Sequence, residues 1–397
     1  MSANLASFAK RLLAHNKNPP EESSSDSPSP NTTPDSSPHK FMDLKELSEL
    51  LEANPERAND GGIQQILEQL QNQYKRPLPP PPPQTQTQTQ KETIKKQMST
   101  VLDNDTTMAK VASQIRNNKI NKILILTGAG TSVSAGIPDF RTPGTGLYDN
   151  LAKYSLPAPE AVFDIDFYRE NPQPFIQLSK ELWPQEGHFK PTPTHCFIKL
   201  LDEKEVLMRN YTQNIDGLEV IAGVDEECVV ECHGHYRSAR CADCEKKQDI
   251  NVVRSSILND GKVPICKKCG GNCKPDIVFF GEDLPQRFHS LIRNDVKRAD
   301  LLIVIGTSLL VSPVSQIPDM VGDFVPRMLI NREKVGNFEA GEEDNYRDVF
   351  EAGDCDDVVM KFVKLLGWQE EFDNIMKLND ERHKSAAEGA RSKEEVD

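Results

Sequence analysis

Six cysteines and two histidines stand between Glu231 and Cys273, in the stretches ECHGHYRSARCADC and CKKCGGNC. Thiolates and imidazoles are ligands for soft and borderline metals, and imidazole also titrates near neutrality. The segment can therefore hold a metal, move a proton, or do both. Cys241-x2-Cys244 and Cys266-x2-Cys269 are separated by 21 residues. Two such knuckles are the spacing of a tetrahedral four-cysteine zinc site, one residue beyond the usual range. Four thiolates close the coordination shell, so this zinc would stabilise the chain and not catalyse. Cys273 stays within reach of the same metal but reads as a bystander, as does Cys232.

A second kind of chemistry is written at strand ends. The apolar run Ile123–Leu126 leads directly into TGAGTSVSAGIPDFR, where Gly128 and Gly130 form the first half of a dinucleotide fingerprint. Glycines there let a pyrophosphate approach the backbone, and a following helix start would offer free N–H groups. The third glycine of G-x-G-x-x-G is replaced by Val133, so the motif alone is weak. Other strand ends add weight. Leu301–Ile305 runs into Gly306-Thr307-Ser308, and Met328–Ile330 runs into Asn331-Arg332-Glu333, where an acid can accept ribose hydroxyls. Gln213, Asn214 and Asp216 follow the strand of Glu205–Tyr211, and His233 follows the apolar CVV. An amide, a carboxylate and an imidazole converging on a dinucleotide loop would make a reaction centre.

These side chains need a scaffold that brings strand ends together. From about residue 100, short runs rich in Ile, Leu and Val alternate with helical patterns. Continuous apolar runs suit strands covered on both faces, and the alternation predicts a Rossmann-like, doubly wound parallel α/β sheet. The cysteine cluster would be a small zinc-binding insertion at about 234–276 within a catalytic domain of 98–370, followed by a helix that frays into a charged tail over 371–397.

Upstream, residues 1–39 are rich in Ser, Pro, Asn and Thr and cannot build a core, so disorder is expected. Residues 40–76 read as a helical hairpin, and 77–97 as a linker made of a proline run at 77–83 and a Gln-Thr repeat. The proline run could meet a proline-recognising partner, or serve as a spacer. The first twenty residues carry Lys10, Arg11 and Lys17 and no acid, with Leu5, Phe8 and Leu12 on one helical face; they read as a mitochondrial presequence or as a short helix. Otherwise the thiolate-rich site fits a reducing compartment, cytoplasmic or nuclear. The formal net charge of −14 argues against direct nucleic-acid binding, and no apolar run is long enough to span a bilayer.

In order and spacing, GAGTSVSAGIPDFR, TQNIDGLE, HG, the paired C-x2-C, KPDIVFFGE, GTSLLVSP and LINRE resemble the sirtuins, and most closely the class containing the human cytosolic and mitochondrial deacetylases. The resemblance covers roughly 100–370. It implies an NAD-dependent protein lysine deacylase with a Rossmann-like domain, a small zinc domain and a cleft between them. Carried over residue by residue, Gly128, Ala129, Gly130 and Thr131 would bind NAD phosphates, and Asp139, Phe140 and Arg141 would border the nicotinamide and its ribose. Gln213, Asn214, Ile215 and Asp216 would hold the nicotinamide ribose and carboxamide, with Asn214 and Asp216 counted among the catalytic group. Gly306, Thr307 and Ser308, with Asn331, Arg332 and Glu333, would grip the adenosine half, and Cys355 would meet the adenine through its backbone. His233 would be the general base. In the implied reaction the acyl-lysine oxygen displaces nicotinamide, and His233 then activates a ribose hydroxyl toward the acyl carbon. Water completes the reaction, giving free lysine and O-acyl-ADP-ribose. Val278, Phe279, Gly281 and Glu282 would bind substrate, the stretch 278–282 pairing with the peptide as an added strand and Phe279 lining the acyl-lysine tunnel.

Two details qualify the resemblance. His235 stands where the family usually carries a small residue. The Tyr-x-x-Arg pair of members that remove acidic acyl groups is absent, because Asp166 lies three residues before Arg169. A neutral acyl group is expected, on acetylated proteins such as histones or tubulin. Three other readings share some of these features: a mono-ADP-ribosyltransferase on the same NAD site, an NAD-dependent dehydrogenase, and a non-catalytic zinc scaffold.

Overall fold

Nine strands build two sheets in the computed structural model, which describes residues 96–139, 156–184 and 187–394. They are β1 (Ile123–Thr127), β2 (Leu207–Thr212), β3 (Val229–Glu231), β4 (Gly234–Cys241), β5 (Lys247–Gln248), β6 (Cys273–Ile277), β7 (Leu301–Ile305), β8 (Arg327–Asn331) and β9 (Asp348–Ala352). The large sheet has the order β3-β2-β1-β7-β8-β9 and every pairing in it is parallel. β1 is flanked by β2 on one side and β7 on the other, so chain order reverses beside its carboxyl end. That is the crevice where open α/β sheets bind ligands.

The apolar runs act as their composition dictates. Every residue of β1 and β7 is buried. Ile123 and Ile125 of β1 join Leu301, Ile303 and Ile305 of β7 in one core, while Leu124 and Leu126 join Leu302 and Val304 in another on the opposite face. The first core is covered by the helices α1 (Met108–Arg116), α2 (Pro193–Glu203) and α4 (Cys355–Leu366), the second by α3 (Gln286–Arg298). Thr107 caps α1 by accepting the Lys110 N–H, and Thr192 and His195 form a reciprocal capping box on α2.

The second sheet is small and antiparallel, in the order β5-β4-β6. Its core extends beyond the expected 234–276. Val162, Phe163, Ile165, Tyr168, Phe175 and Trp183 contribute to it together with Tyr236, Ile257 and Phe279. The segment 156–184 precedes the cysteines by many residues, and only a tertiary contact links the two.

The charged terminus also differs from a fraying tail. Helix α5 (Gln369–Glu394) follows α4 after Gly367, which adopts φ 73°. Phe372, Ile375 and Asn379 are buried, and the Asn379 amide donates to the Ala222 carbonyl at 3.4 Å. Widely spaced apolar residues in a charged sequence hid this docked stripe. The expected disordered segment, hairpin and proline-rich linker before residue 96 lie outside the described residues, as do Phe140 and Arg141.

Candidate active site and metal centre

The carboxyl ends of β1, β7 and β8 open onto a cleft of about 650 Å3, whose other wall is the stretch following β6. This size is typical of a small-molecule or cofactor site. Gly128, Ala129, Gly130, Asp139, Gln213, Asn214, Ile215, His233, Gly306, Thr307, Ser308, Asn331, Arg332, Glu333 and Cys355 all face it. Residues from six separate stretches of the sequence therefore meet in one place.

The glycines that line the cleft also serve packing. A Cβ on Gly128 would lie 2.6 Å from the Thr307 Cβ, and one on Gly130 would lie 2.8 Å from the Gly306 Cα. Gly128 N–H donates to Ile305 and Gly130 N–H to the Gly306 carbonyl at 2.8 Å. Gly306 itself has φ 61° and packs back against Thr131 N and the Cys355 Sγ. The small residues let the two loops pack on each other, and two N–H groups are used in doing so. No α-helix starts here; Ala129–Thr131 and Val133–Ala135 are single 3-10 turns, consistent with Val133 in place of the third glycine.

Asn214 and Asp216 brace this loop. The Asn214 amide donates to Gly128 O, Thr131 Oγ1 and Ser132 Oγ at 3.1–3.2 Å. Asp216 is 7 % exposed and does not face the cleft; its oxygens accept from Ser132 Oγ at 2.7 Å and Leu218 N–H at 3.0 Å. Thr131 is also buried, donating to Gly128 O at 2.9 Å. Neither Asp216 nor Thr131 lines the cleft; both brace residues that do, Asp216 through Ser132. Burial pushes the Asp216 carboxyl above its ordinary value, reinforced by the neighbouring Glu219. With His195 these two carboxylates form a buried cluster. It does not suit a divalent ion. Asp216 is satisfied by Ser132 and Leu218, and Glu219 Oε1 lies 3.2–3.3 Å from Thr127 and Asn210 donors, which leaves chiefly Glu219 Oε2 and His195 Nε2.

His233 has the geometry of a base. Its Nδ1 lies 2.9 Å from the Gln213 carbonyl oxygen. A carbonyl has no proton to give, so Nδ1 carries the hydrogen and Nε2 keeps a free lone pair. Burial lowers the His233 pKa below the ordinary histidine value, while the Gln213 carbonyl opposes that shift. Gln213 is itself fixed by its amide donating to Thr307 Oγ1 at 2.9 Å. At the end of β8, Arg332 Nε pairs with Asp354 at 2.6 Å and Asn331 donates to the Glu333 carbonyl at 2.9 Å. Burial pushes the Cys355 thiol up to about 12, so it offers no thiolate; its place in the first turn of α4 suits a backbone contact.

Val278, Phe279, Phe280, Gly281 and Glu282 all border the cleft, each held differently. Phe279 is 1 % exposed and packs edge-on against Phe163, Tyr168 and Phe175, whereas Phe280 is 41 % exposed. Phe280 is thus the ring that can meet a side chain entering the cleft. The N–H groups of Val278, Phe279 and Phe280 already donate to His233 O, Glu282 Oε2 and Phe163 O at 2.7–2.8 Å. An uninterrupted ladder of donors for an added strand is therefore not on offer, and a peptide would meet carbonyls and side chains. Glu282 turns inward to the buried Lys274, 2.9 Å away. Lys274 is a residue that sequence reasoning missed, since nothing in KPDIVFFGE signals which way its side chain points.

The metal centre is as expected. Cys241, Cys244, Cys266 and Cys269 bring their sulfurs within 4.8 Å of one another, with Cys241–Cys269 at 3.4 Å and Cys244–Cys266 at 3.8 Å. Tetrahedral zinc with Zn–S bonds of about 2.3 Å requires edges of roughly 3.8 Å, whereas a disulfide would require about 2.05 Å. The Asp243 N–H points at Cys241 Sγ at 3.5 Å and the Lys268 N–H at Cys266 Sγ at 3.4 Å. Backbone N–H groups of Cys269 and Lys268 lower the pKa of the Cys266 thiol, whereas that of Cys269, despite the Gly271 N–H, is raised by the Cys241 and Cys244 thiols crowded against it. Cys273, buried opposite Cys241 across the β4–β6 pair, stays outside the cluster.

Comparison with known proteins agrees with this geometry. A Sir2 family profile matches residues 128–313. The chain is 45% identical over 275 residues to the NAD-dependent protein deacetylase hst2 of Schizosaccharomyces pombe, covering 69% of this chain and 81% of the relative. It is 44% identical over 292 residues to the NAD-dependent protein deacetylase sirtuin-2 of Danio rerio, covering 70% and 76%. Against the NAD-dependent protein deacetylase sirtuin-3 of Mus musculus it is 45% identical over 266 residues, covering 67% and 78%. With a cleft at the sheet's switch point and four cysteines gathered beside it, the chain belongs to the Sir2 family.

Proposed function

We propose that the chain is an NAD-dependent protein lysine deacetylase in which His233 is the general base. The observation that carries this reading is the fixed tautomer of His233, with Nδ1–H held by the Gln213 carbonyl and Nε2 free on the cleft side. Bound NAD supplies the electrophilic ribose carbon, the nicotinamide leaving group and the hydroxyl that receives the acyl group. The polar strand ends fit such a ligand: Ser308, Asn331 and Glu333 face the cleft for the adenosine half, and Gln213 and Asn214 for the nicotinamide half. His233 Nε2 takes the proton of the ribose hydroxyl, and burial keeps the imidazole neutral and ready to do so. Phe280 and Val278 flank the acyl-lysine, and Phe279 backs them from the core. The zinc centre holds the smaller sheet and takes no part in bond making.

The acyl group is neutral, acetyl or longer, since Arg169 is committed to Asp166 and Asp243 at 3.0 and 3.2 Å and is not free to read a carboxylate. Acetylated proteins with basic sequences, histones or tubulin among them, suit the net charge of −14. A cytoplasmic or nuclear site fits the thiolate centre, with mitochondrial import resting on the first twenty residues. Incubation with NAD labelled in its adenylate half and an acetylated lysine peptide tests the reaction class. The label should appear in a small soluble product only when peptide is present. Label bound to protein would favour mono-ADP-ribosyl transfer and overturn the deacetylase reading.

A further inference from the structure

Lys274 is a buried cation beside the cleft that the reaction does not use. Its residue is 2 % exposed. The ammonium lies 2.9 Å from Glu282 Oε2, donates to the Ile277 carbonyl at 2.5 Å and stands 4.4 Å from the centroid of the Phe279 ring. The same Glu282 oxygen accepts the Phe279 N–H at 2.7 Å, and the Glu282 N–H donates back to the Phe279 carbonyl at 3.0 Å. One ammonium thereby closes a ring of contacts around residues 278–282. The first of these, Val278, donates its N–H to the His233 carbonyl at 2.8 Å.

An apolar side chain of similar length would fill this volume without the desolvation cost of a buried ion pair. The charge is better explained by the shape it imposes. Ile277 ends β6, and the chain must then pack the Phe279 ring into the core at the base of the cleft wall while leaving Val278, Phe280 and Gly281 more open to the cleft. The Lys274–Glu282 pair ties both ends of that turn to its middle. We propose that this pair is a positioning element for the acylated peptide, fixing the 278–282 backbone in the form that presents Val278, Phe280 and Gly281 to it. The proposal rests on the reading of this wall as the peptide side of a deacetylase cleft. The NAD-side residues Ser308, Asn331 and Glu333 follow β7 and β8, whereas the pair's polar partners lie within 274–282, so its loss should act on peptide and spare NAD.

The test measures peptide affinity without turnover, by fluorescence anisotropy of a labelled acetyl-lysine peptide, alongside peptide KM, kcat and NAD affinity. Lys274→Met should weaken peptide binding and raise peptide KM by about tenfold, as loss of a charged hydrogen bond would. NAD affinity and kcat should stay within about threefold. Lys274→Arg should restore most of the peptide affinity, and Lys274→Met with Glu282→Gln should be less impaired than Lys274→Met alone, because the orphaned carboxylate is neutralised. Unchanged peptide affinity in Lys274→Met would overturn the proposal, as would equal losses of peptide and NAD affinity without rescue by arginine. Should Lys274→Met not fold, Glu282→Gln serves: the amide still accepts from Phe279 but lacks the charge, and an unchanged peptide KM would refute the role. The wild-type protein run in parallel separates this failure from that of the deacetylase reading, which falls only if the wild type neither binds nor deacetylates the peptide.

Discussion

The two walls of the cleft are held in different ways. On the sheet side, strands buried on both faces set the loops, and glycines lock those loops against each other. On the module side, a three-stranded sheet, an aromatic cluster and four cysteines share the task. His233 stands where the two meet. The Gln213 carbonyl, beyond β2, orients its ring, while its own carbonyl accepts the Val278 N–H beyond β6. The difference teaches that one wall is shaped by buried strands, close glycine packing and hydrogen bonds, while the other is built around a cluster of four cysteines fit for a metal, and the proposed base touches both.

Breaking the metal should separate the walls most sharply. Cys241→Ser or Cys266→Ser should abolish zinc retention and unfold the module, since a structural zinc contributes on the order of 10 kcal/mol of folding energy. Elemental analysis and near-ultraviolet circular dichroism check this; undiminished zinc content would refute the ligand set. Removing the base comes next. His233→Ala should cut deacetylation by about 10²–10⁴-fold, with NAD affinity by calorimetry nearly unchanged because Nε2 is not needed to bind it.

The paired phenylalanines sharpen the module's own division between core and cleft. Phe279→Ala should cost about 3–5 kcal/mol in denaturant unfolding. Phe280→Ala should change stability by about 0.5 kcal/mol or less and instead raise peptide KM; the reverse pattern would contradict the orientation of the two rings. Smallest is a pH effect. Burial lowers the His233 pKa, so the neutral, competent form persists to lower pH than for an exposed histidine. The acidic limb of kcat/KM should therefore fall below about pH 6.5, and a limb above that value would show that another group controls it.

Much of this was legible in the sequence. ILIL and LLIVI could only be strands covered on both faces, and the cysteine spacing named both metal and geometry. His233 stood out as a titrating side chain after an apolar run. What stayed hidden were directions. Alternation in IVFF leaves open which phenylalanine turns inward, because the residues pack against the distant segment 156–184. Asp216 carries the residue type of a ligand contact, yet it is Ser132 that occupies its carboxylate. Nothing in KPDIVFFGE marks Lys274 as buried, yet it lies out of solvent beside Glu282. Such features depend on contacts between distant parts of the chain, which local pattern does not encode.

The central claim, that this cleft transfers an acyl group from lysine to the ribose of NAD, is met most directly by mass spectrometry of the products from an acetyl-lysine peptide and NAD. The account expects free peptide, nicotinamide and O-acetyl-ADP-ribose in equal amounts. Free ADP-ribose with the peptide still acetylated, or ADP-ribose attached to protein, would contradict it.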